Sequence, residues 1–91
     1  MVSGRRRYDV ELHRSVRRFL IRHHELAAIW DEISNRISES PRQGGRINHL
    51  KGKWHCNYRW RQGDYRLLYE VIDGENVVHV YHAGARGDVY R

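Results

Sequence analysis

Alternating residues on both sides of a tight turn constrain the fold of this chain more than any other feature. Aromatic and cationic residues alternate at 58–61 (YRWR), turn chemistry follows at 62–64 (QGD), and 65–69 (YRLLY) returns as a second strand. Because successive strand side chains point to opposite faces, Arg59 and Arg61 share one face, and Tyr58 and Trp60 share the other. The segment predicts a β-hairpin with one core face and one row of guanidinium groups suited to phosphate.

Apolar spacing predicts a short strand and two helices before this hairpin. Residues 8–12 alternate as a strand, and apolar residues at 16, 19 and 20, then at 26, 29, 30, 33 and 37, have helical spacing. A break around 23–25 would make the two helices an antiparallel pair. Pro41 ends the second helix, because proline cannot continue a helix and restrains the residue before it.

A second hairpin follows, with strands at 71–72 and 77–82 around a DGEN turn, and 83–91 has loop composition. The sequence therefore predicts an α+β fold, with a short N-terminal strand, an antiparallel helical pair and then a three-stranded antiparallel sheet. We expect one compact domain over 8–91, preceded by a flexible basic arm at 1–7.

Composition indicates an acidic partner. The 91 residues are enough for one small domain, the formal net charge is +6, and 15 of the 17 basic residues are arginine. Arginine offers a planar fork of donors that matches phosphate. Cys56 is the single cysteine, so it allows neither an internal disulfide nor a cysteine zinc site, and the chain fits a reducing cytoplasm. The sequence has no apolar run of membrane-spanning length and no hydrophobic signal segment at its start.

In this order of elements the chain resembles the RelE branch of the RelE/ParE toxins of toxin–antitoxin pairs. The resemblance covers about 8–90. It is carried by the helix end at Glu39-Ser40-Pro41, the Leu50-Lys51-Gly52 step, the strand at 58–61, the run at 63–69, and the closing Arg86 and Tyr90.

The resemblance implies a compact domain similar to microbial RNases and a metal-independent endoribonuclease without a cofactor. Such an enzyme cuts mRNA in the ribosomal A site through the neighbouring 2′-hydroxyl and blocks translation. The implied partners are the ribosome, mRNA and an acidic RelB-like antitoxin in a toxin–antitoxin hetero-oligomer.

The resemblance also implies the site residues. The implied catalytic groups are Arg59, Arg61, Arg66, Arg86 and Tyr90, and we expect RNA contacts from Lys51, Lys53 and Trp60.

The identity of the general base is open at this stage. The best-known members often have lysine where this chain has Arg59 and Arg61, and arginine stays protonated, so these two residues can clamp a phosphate but cannot accept a proton. His82 is the first candidate base, because an unperturbed imidazole titrates near pH 6.5. Tyr90 can act as base, acid or stacking platform.

Two other classes of function compete with mRNA cleavage. One is a gyrase-inhibiting toxin of the ParE type, against which the arginine cluster with Arg86 and Tyr90 argues. The other is a non-catalytic module that binds RNA or a partner, which charge alone would favour.

Overall fold

A computed structural model describes residues 7–50 and 57–85, which form five strands and three α-helices. The arrangement is of the α+β class, as the sequence predicts. In chain order the elements are β1 (Asp9–Leu12), α1 (Arg14–Arg22), α2 (His24–Ala28), α3 (Trp30–Glu39), β2 (Ile47–His49), β3 (Asn57–Gln62), β4 (Tyr65–Ile72) and β5 (Val77–Ala85). Of the predicted basic arm, Arg7 alone is described, and its guanidinium lies 3.4 Å from Glu39 of α3. The domain boundaries at 8 and 91 stay a prediction.

The described strands form one mixed sheet in the order β1-β5-β4-β3-β2. β3, β4 and β5 pair antiparallel, as predicted. The prediction of a three-stranded sheet is nevertheless incomplete. β1 joins the sheet parallel to β5, with Asp9 opposite Val77, and β2 adds an edge strand with Ile47 opposite Trp60. β2 has only three residues, too few for the alternation that identifies a strand in a sequence.

One helical prediction needs correction. The second predicted helix is two helices, α2 and α3, separated at Ile29, whose φ of −111° is not helical. Its backbone N–H donates to the carbonyl of Leu26 at 3.2 Å, an i to i−3 bond that tightens the turn and redirects the chain. The α1 helix begins as a capped helix, because Nδ1 of His13 accepts the backbone N–H of Ser15 at 3.1 Å.

The turn at Gly63 joins β3 to β4, and the pairing of β5 with β4 sets the length of β5. Gly63 has a φ of 59°, which a type II′ turn requires at its first central residue and which glycine adopts without strain. β5 continues to Ala85, which lies opposite Tyr65. The prediction that 83–85 is loop-like is therefore wrong, because these residues pair with the first three residues of β4.

The core lies between the helices and one face of the sheet. Val16 of α1, Ile33 and Ile37 of α3 and Leu67 of β4 are each at most 2 % exposed. Tyr69 of β4 is also fully buried, and its hydroxyl donates to the carbonyl of Pro41 at 2.5 Å. Burial raises the pKa of the Tyr69 hydroxyl, so this group stays a donor. The bond ties the segment after α3 to the central strand.

Replacing Tyr69 by phenylalanine is expected to lower the free energy of unfolding by about 1–3 kcal/mol, because the Pro41 carbonyl loses its buried donor. Urea denaturation followed by circular dichroism measures the loss. Tyr65→Phe is the matched control, since the hydroxyl of Tyr65 bonds the exposed Glu25 and its removal leaves that carboxylate to water. Equal losses in the two variants would contradict the assignment.

Candidate active site

The predicted arginines lie on the face of the sheet turned away from the helices. In β3, Tyr58 and Trp60 are buried in the core, while Arg59 and Arg61 point to the opposite side. Arg66 of β4 lies directly opposite Arg61 in the β3–β4 ladder and so shares its face. We call the surface defined by Arg59, Arg61, Arg66 and His82 the site face.

The three arginines form one dense cationic patch. Side chains directly opposite each other in an antiparallel pair have Cβ atoms about 4.5–5.5 Å apart, so Arg61 and Arg66 are neighbours. Burial lowers the pKa of Arg59, and the positive charges of Arg61 and Arg66 lower it further. An anion placed among these groups offsets their mutual repulsion, which makes the patch suited to a phosphate.

A neutral residue of the edge strand orients Arg59. Asn48 of β2 lies opposite Arg59 in the β2–β3 ladder. With its amide assigned by its hydrogen bonds, its oxygen accepts from Nη2 of Arg59 at 2.6 Å and its nitrogen donates to the Ile47 carbonyl at 3.1 Å. An amide fixes a guanidinium in place without adding negative charge. The sequence did not point to Asn48, because β2 itself was not recognised.

A β-bulge in β5 directs His82 to the site face. Leu68 lies opposite His82, whereas the next residue, Tyr69, lies opposite Val80, so Tyr81 is the extra residue. A bulge of this kind turns two successive side chains toward the same side of a sheet. Tyr81 and His82 therefore both belong to the face that carries the arginines.

His82 stands in the same row of the sheet as Arg59. Leu68 is opposite His82 on one side and opposite Arg59 on the other. The two residues are thus separated by two strand spacings, about 10 Å between backbones. Within the described residues, Nε2 of His82 is buried and has no hydrogen-bond partner. A buried polar atom without a partner is rare in folded proteins, so the position of this nitrogen calls for an explanation.

The same face contains a polar pair that sequence reasoning missed. The hydroxyl of Tyr81 donates to Oδ1 of Asn57 at 2.7 Å. Burial, and then the charge of Glu70, raises the pKa of Tyr81, so the hydroxyl remains a donor. No local signal identifies this pair, because the two residues are 24 positions apart and meet only through the sheet.

The far end of this face, beyond His82 and away from the arginines, differs in charge. Glu70 lies opposite His79, and Oε2 of Glu70 is 3.3 Å from Nδ1 of His79. A carboxylate repels anions, so this face favours an anionic ligand at its arginine end.

One predicted site residue is placed where it cannot act. Trp60 was expected to contact RNA, but its side chain lies in the core at 3 % exposure, and its Nε1 donates to Gln62 at 3.2 Å. No face of the ring is available to a base, so the prediction for Trp60 is wrong. The alternation had already placed Trp60 opposite the arginines, and burial decides that its face is the core.

Four other candidates, Lys51, Lys53, Arg86 and Tyr90, lie outside the described residues. Their roles stay predictions.

Two further observations concern the described ranges 7–50 and 57–85. They contain no group of three or more histidine, cysteine, aspartate or glutamate side chains arranged to hold a metal ion. None of their helices has the length and apolar character needed to cross a membrane.

Several solved structures with this architecture are of RelE toxins or of their toxin–antitoxin complexes. A chain of the RelBE2 toxin–antitoxin complex from Mycobacterium tuberculosis is 25 % identical, with a TM-score of 0.73, and the match covers 96 % of this chain and 100 % of that one. A chain of the archaeal RelE–RelB complex from Pyrococcus horikoshii is 24 % identical with a TM-score of 0.75, covering 90 % and 98 %. The isolated Escherichia coli RelE toxin is 23 % identical with a TM-score of 0.73, covering 91 % and 88 %. No protein-family model and no curated protein matches the sequence.

The chain therefore has the fold of the RelE/ParE toxin superfamily. Within that superfamily these neighbours are RelE toxins, solved alone or in complexes of the RelE–RelB type. The resemblance drawn from the sequence motifs is confirmed at the level of the fold.

Proposed function

We propose that this protein is the toxin of a type II toxin–antitoxin pair and a metal-independent endoribonuclease that cuts mRNA in the ribosomal A site. The observation that carries the proposal is the patch of Arg59, Arg61 and Arg66, with His82 in the row of Arg59 about 10 Å away. Such a patch can hold one phosphodiester, with a proton acceptor on the adjoining strand.

The chemistry proposed is an in-line attack of the 2′-oxygen on the adjacent phosphorus. The 2′-hydroxyl gives its proton to a base, a bond forms from the 2′-oxygen to phosphorus, and the bond from phosphorus to the 5′-oxygen breaks. The 5′-oxygen leaves with a proton from a second group, and the products are a 2′,3′-cyclic phosphate and a 5′-hydroxyl. Atoms and charge balance without any other reactant.

The arginines stabilise the charge that develops during this attack. Negative charge grows on the non-bridging phosphate oxygens, and guanidinium groups fixed in advance stabilise it without reorganising. Asn48 holds Arg59 in position, and the repulsion that lowers the pKa of Arg59 is relieved most in the most highly charged state, which is the transition state.

The proton transfers are assigned to His82 and Tyr90. His82, which lies in the same row of the sheet as Arg59, is the candidate base for the 2′-hydroxyl. Tyr90, together with Arg86, is proposed from the resemblance alone, as the acid for the leaving oxygen or as a platform for a base.

The proposed partners follow from this function. The printed names of two neighbours describe toxin–antitoxin complexes, and by analogy we propose an acidic RelB-like antitoxin that covers the site face in a hetero-oligomer. The ribosome and mRNA are the proposed targets, which places the protein in the cytoplasm.

Cleavage in register with codons is the expected result in a translation extract that receives this protein. Primer extension maps the new mRNA ends, and the same mRNA without ribosomes should stay intact. A catalytically impaired Arg59→Ala, Arg61→Ala double variant is the control for a contaminating nuclease. Intact mRNA with loss of DNA supercoiling would favour gyrase inhibition. Intact mRNA, normal supercoiling and retained RNA binding would favour a non-catalytic module.

A further inference from the structure

The outward face of α1 is a second basic surface of the molecule. Arg14, Arg17, Arg18 and Arg22 are all exposed, whereas Val16 and Leu20 on the opposite side of the helix are buried. We call these four residues the α1 arginine face. At 100° per residue they cover one continuous arc that points away from the sheet.

These arginines lack the carboxylate partners that other helix and loop arginines have. Arg7, Arg36 and Arg42 lie 3.4, 3.3 and 2.6 Å from a carboxylate oxygen. In the part of the chain that the structure describes, none of the four on α1 has an ion pair. Their charges are therefore available to an outside anion.

Two of these charges oppose the stability of the helix, whereas Arg22 stands in the last turn, where a cation is favourable. α1 has no acidic residue in its first turn, where the helix dipole favours negative charge, and Arg14 and Arg17 stand there instead. Cations at a helix N-terminus are unfavourable by about 0.3–1 kcal/mol each. Unfavourable charges at a helix N-terminus that no contact inside the fold offsets are expected where the surface serves binding.

The chemistry of this surface favours RNA over a protein partner. Within the described residues, Ile21 is the one large apolar side chain that is exposed, at 72 %. A protein interface needs a buried core of several aromatic or aliphatic anchors, which a single isoleucine does not provide. The helix from Arg14 to Arg22 rises about 12 Å, enough to follow three or four phosphates of one strand of a duplex.

We infer that the α1 arginine face binds the phosphate backbone of folded RNA, separately from the strand that occupies the site face. The two surfaces lie on opposite sides of the sheet and helix layers, more than one helix diameter of about 10 Å apart, so they engage different RNA segments. The inference rests on the proposed function only for the identity of that RNA, which is then ribosomal.

Binding to an RNA stem-loop, measured by fluorescence anisotropy over a salt series, tests the inference without any cleavage. The R14Q/R17Q/R18Q/R22Q variant is expected to bind at least about tenfold more weakly at 0.15 M salt. The slope of log K against log salt should flatten by about 3, because four phosphate contacts are lost. R36Q is the matched control, since Arg36 is an exposed helix arginine that pairs with Glu32. Ile21→Ala should bind as the wild type does.

Three results would overturn the inference. These are an unchanged salt slope in the quadruple variant, an equal loss in R36Q, or a loss in Ile21→Ala as large as in the quadruple variant. On ribosomes the quadruple variant should raise the KM of cleavage at least tenfold and leave kcat within about twofold. If the wild type binds the stem-loop as expected but cuts no mRNA, the proposed function fails and this inference stands.

Discussion

Replacing Arg59 by alanine is expected to lower the single-turnover rate of mRNA cleavage on programmed ribosomes by about 10²- to 10³-fold, the usual effect of removing one fixed donor from a developing oxyanion. The side-chain oxygen of Asn48 accepts from Arg59 at 2.6 Å, and burial and the charges of Arg61 and Arg66 lower the pKa of Arg59. Quench-flow at saturating toxin measures the chemical step apart from binding.

Two variants control this experiment. Arg59→Lys keeps a positive charge but loses the planar fork, so an intermediate rate is expected. Arg36→Ala removes an exposed arginine of the helix layer and should cut at the wild-type rate. If Arg59→Ala binds ribosomes weakly but cuts normally at saturation, Arg59 is an anchor and not part of the cleavage machinery.

Replacing His82 by glutamine is expected to lower the same rate by about 10²-fold or more, the typical contribution of a positioned general base. Single-turnover rates at saturating toxin measure the loss.

His79→Gln is the matched control for His82. Both are histidines of β5 on the same face of the sheet, but His79 pairs with Glu70 at 3.3 Å, away from the arginines. His79→Gln should retain the rate. If His82→Gln retains it as well, the proton acceptor is another group.

Local sequence patterns predicted those parts of the fold that depend on interactions between residues close together in the chain. Alternation at 58–61 placed Arg59 and Trp60 on opposite faces, and Gly63 marked the turn, because both depend on residues next to each other. The break between α2 and α3 at Ile29 could not be predicted, because no glycine or proline lies near it in the sequence. The parallel pairing of β1 with β5 joins residues far apart in the chain, and no local pattern encodes it.

The candidate site was predictable to the same extent. The arginine row follows from alternation within one hairpin, whereas the bulge that brings Tyr81 and His82 to one face depends on the partner strand β4. Alternation alone would have put these two neighbours on opposite faces. Trp60 was misassigned because an aromatic residue beside arginines has the same pattern whether its ring faces a base or the core.

The parallel pairing of β1 with β5 determines when the molecule can fold during its own synthesis. Asp9 is among the first described residues to be made, and its partner Val77 follows only after both helix segments and the β3–β4 hairpin. Contacts between residues so distant in sequence form late and slowly. The face that carries His82 is therefore complete only after β5 has been synthesised. Until then the ribosome that synthesises the chain carries an incomplete sheet.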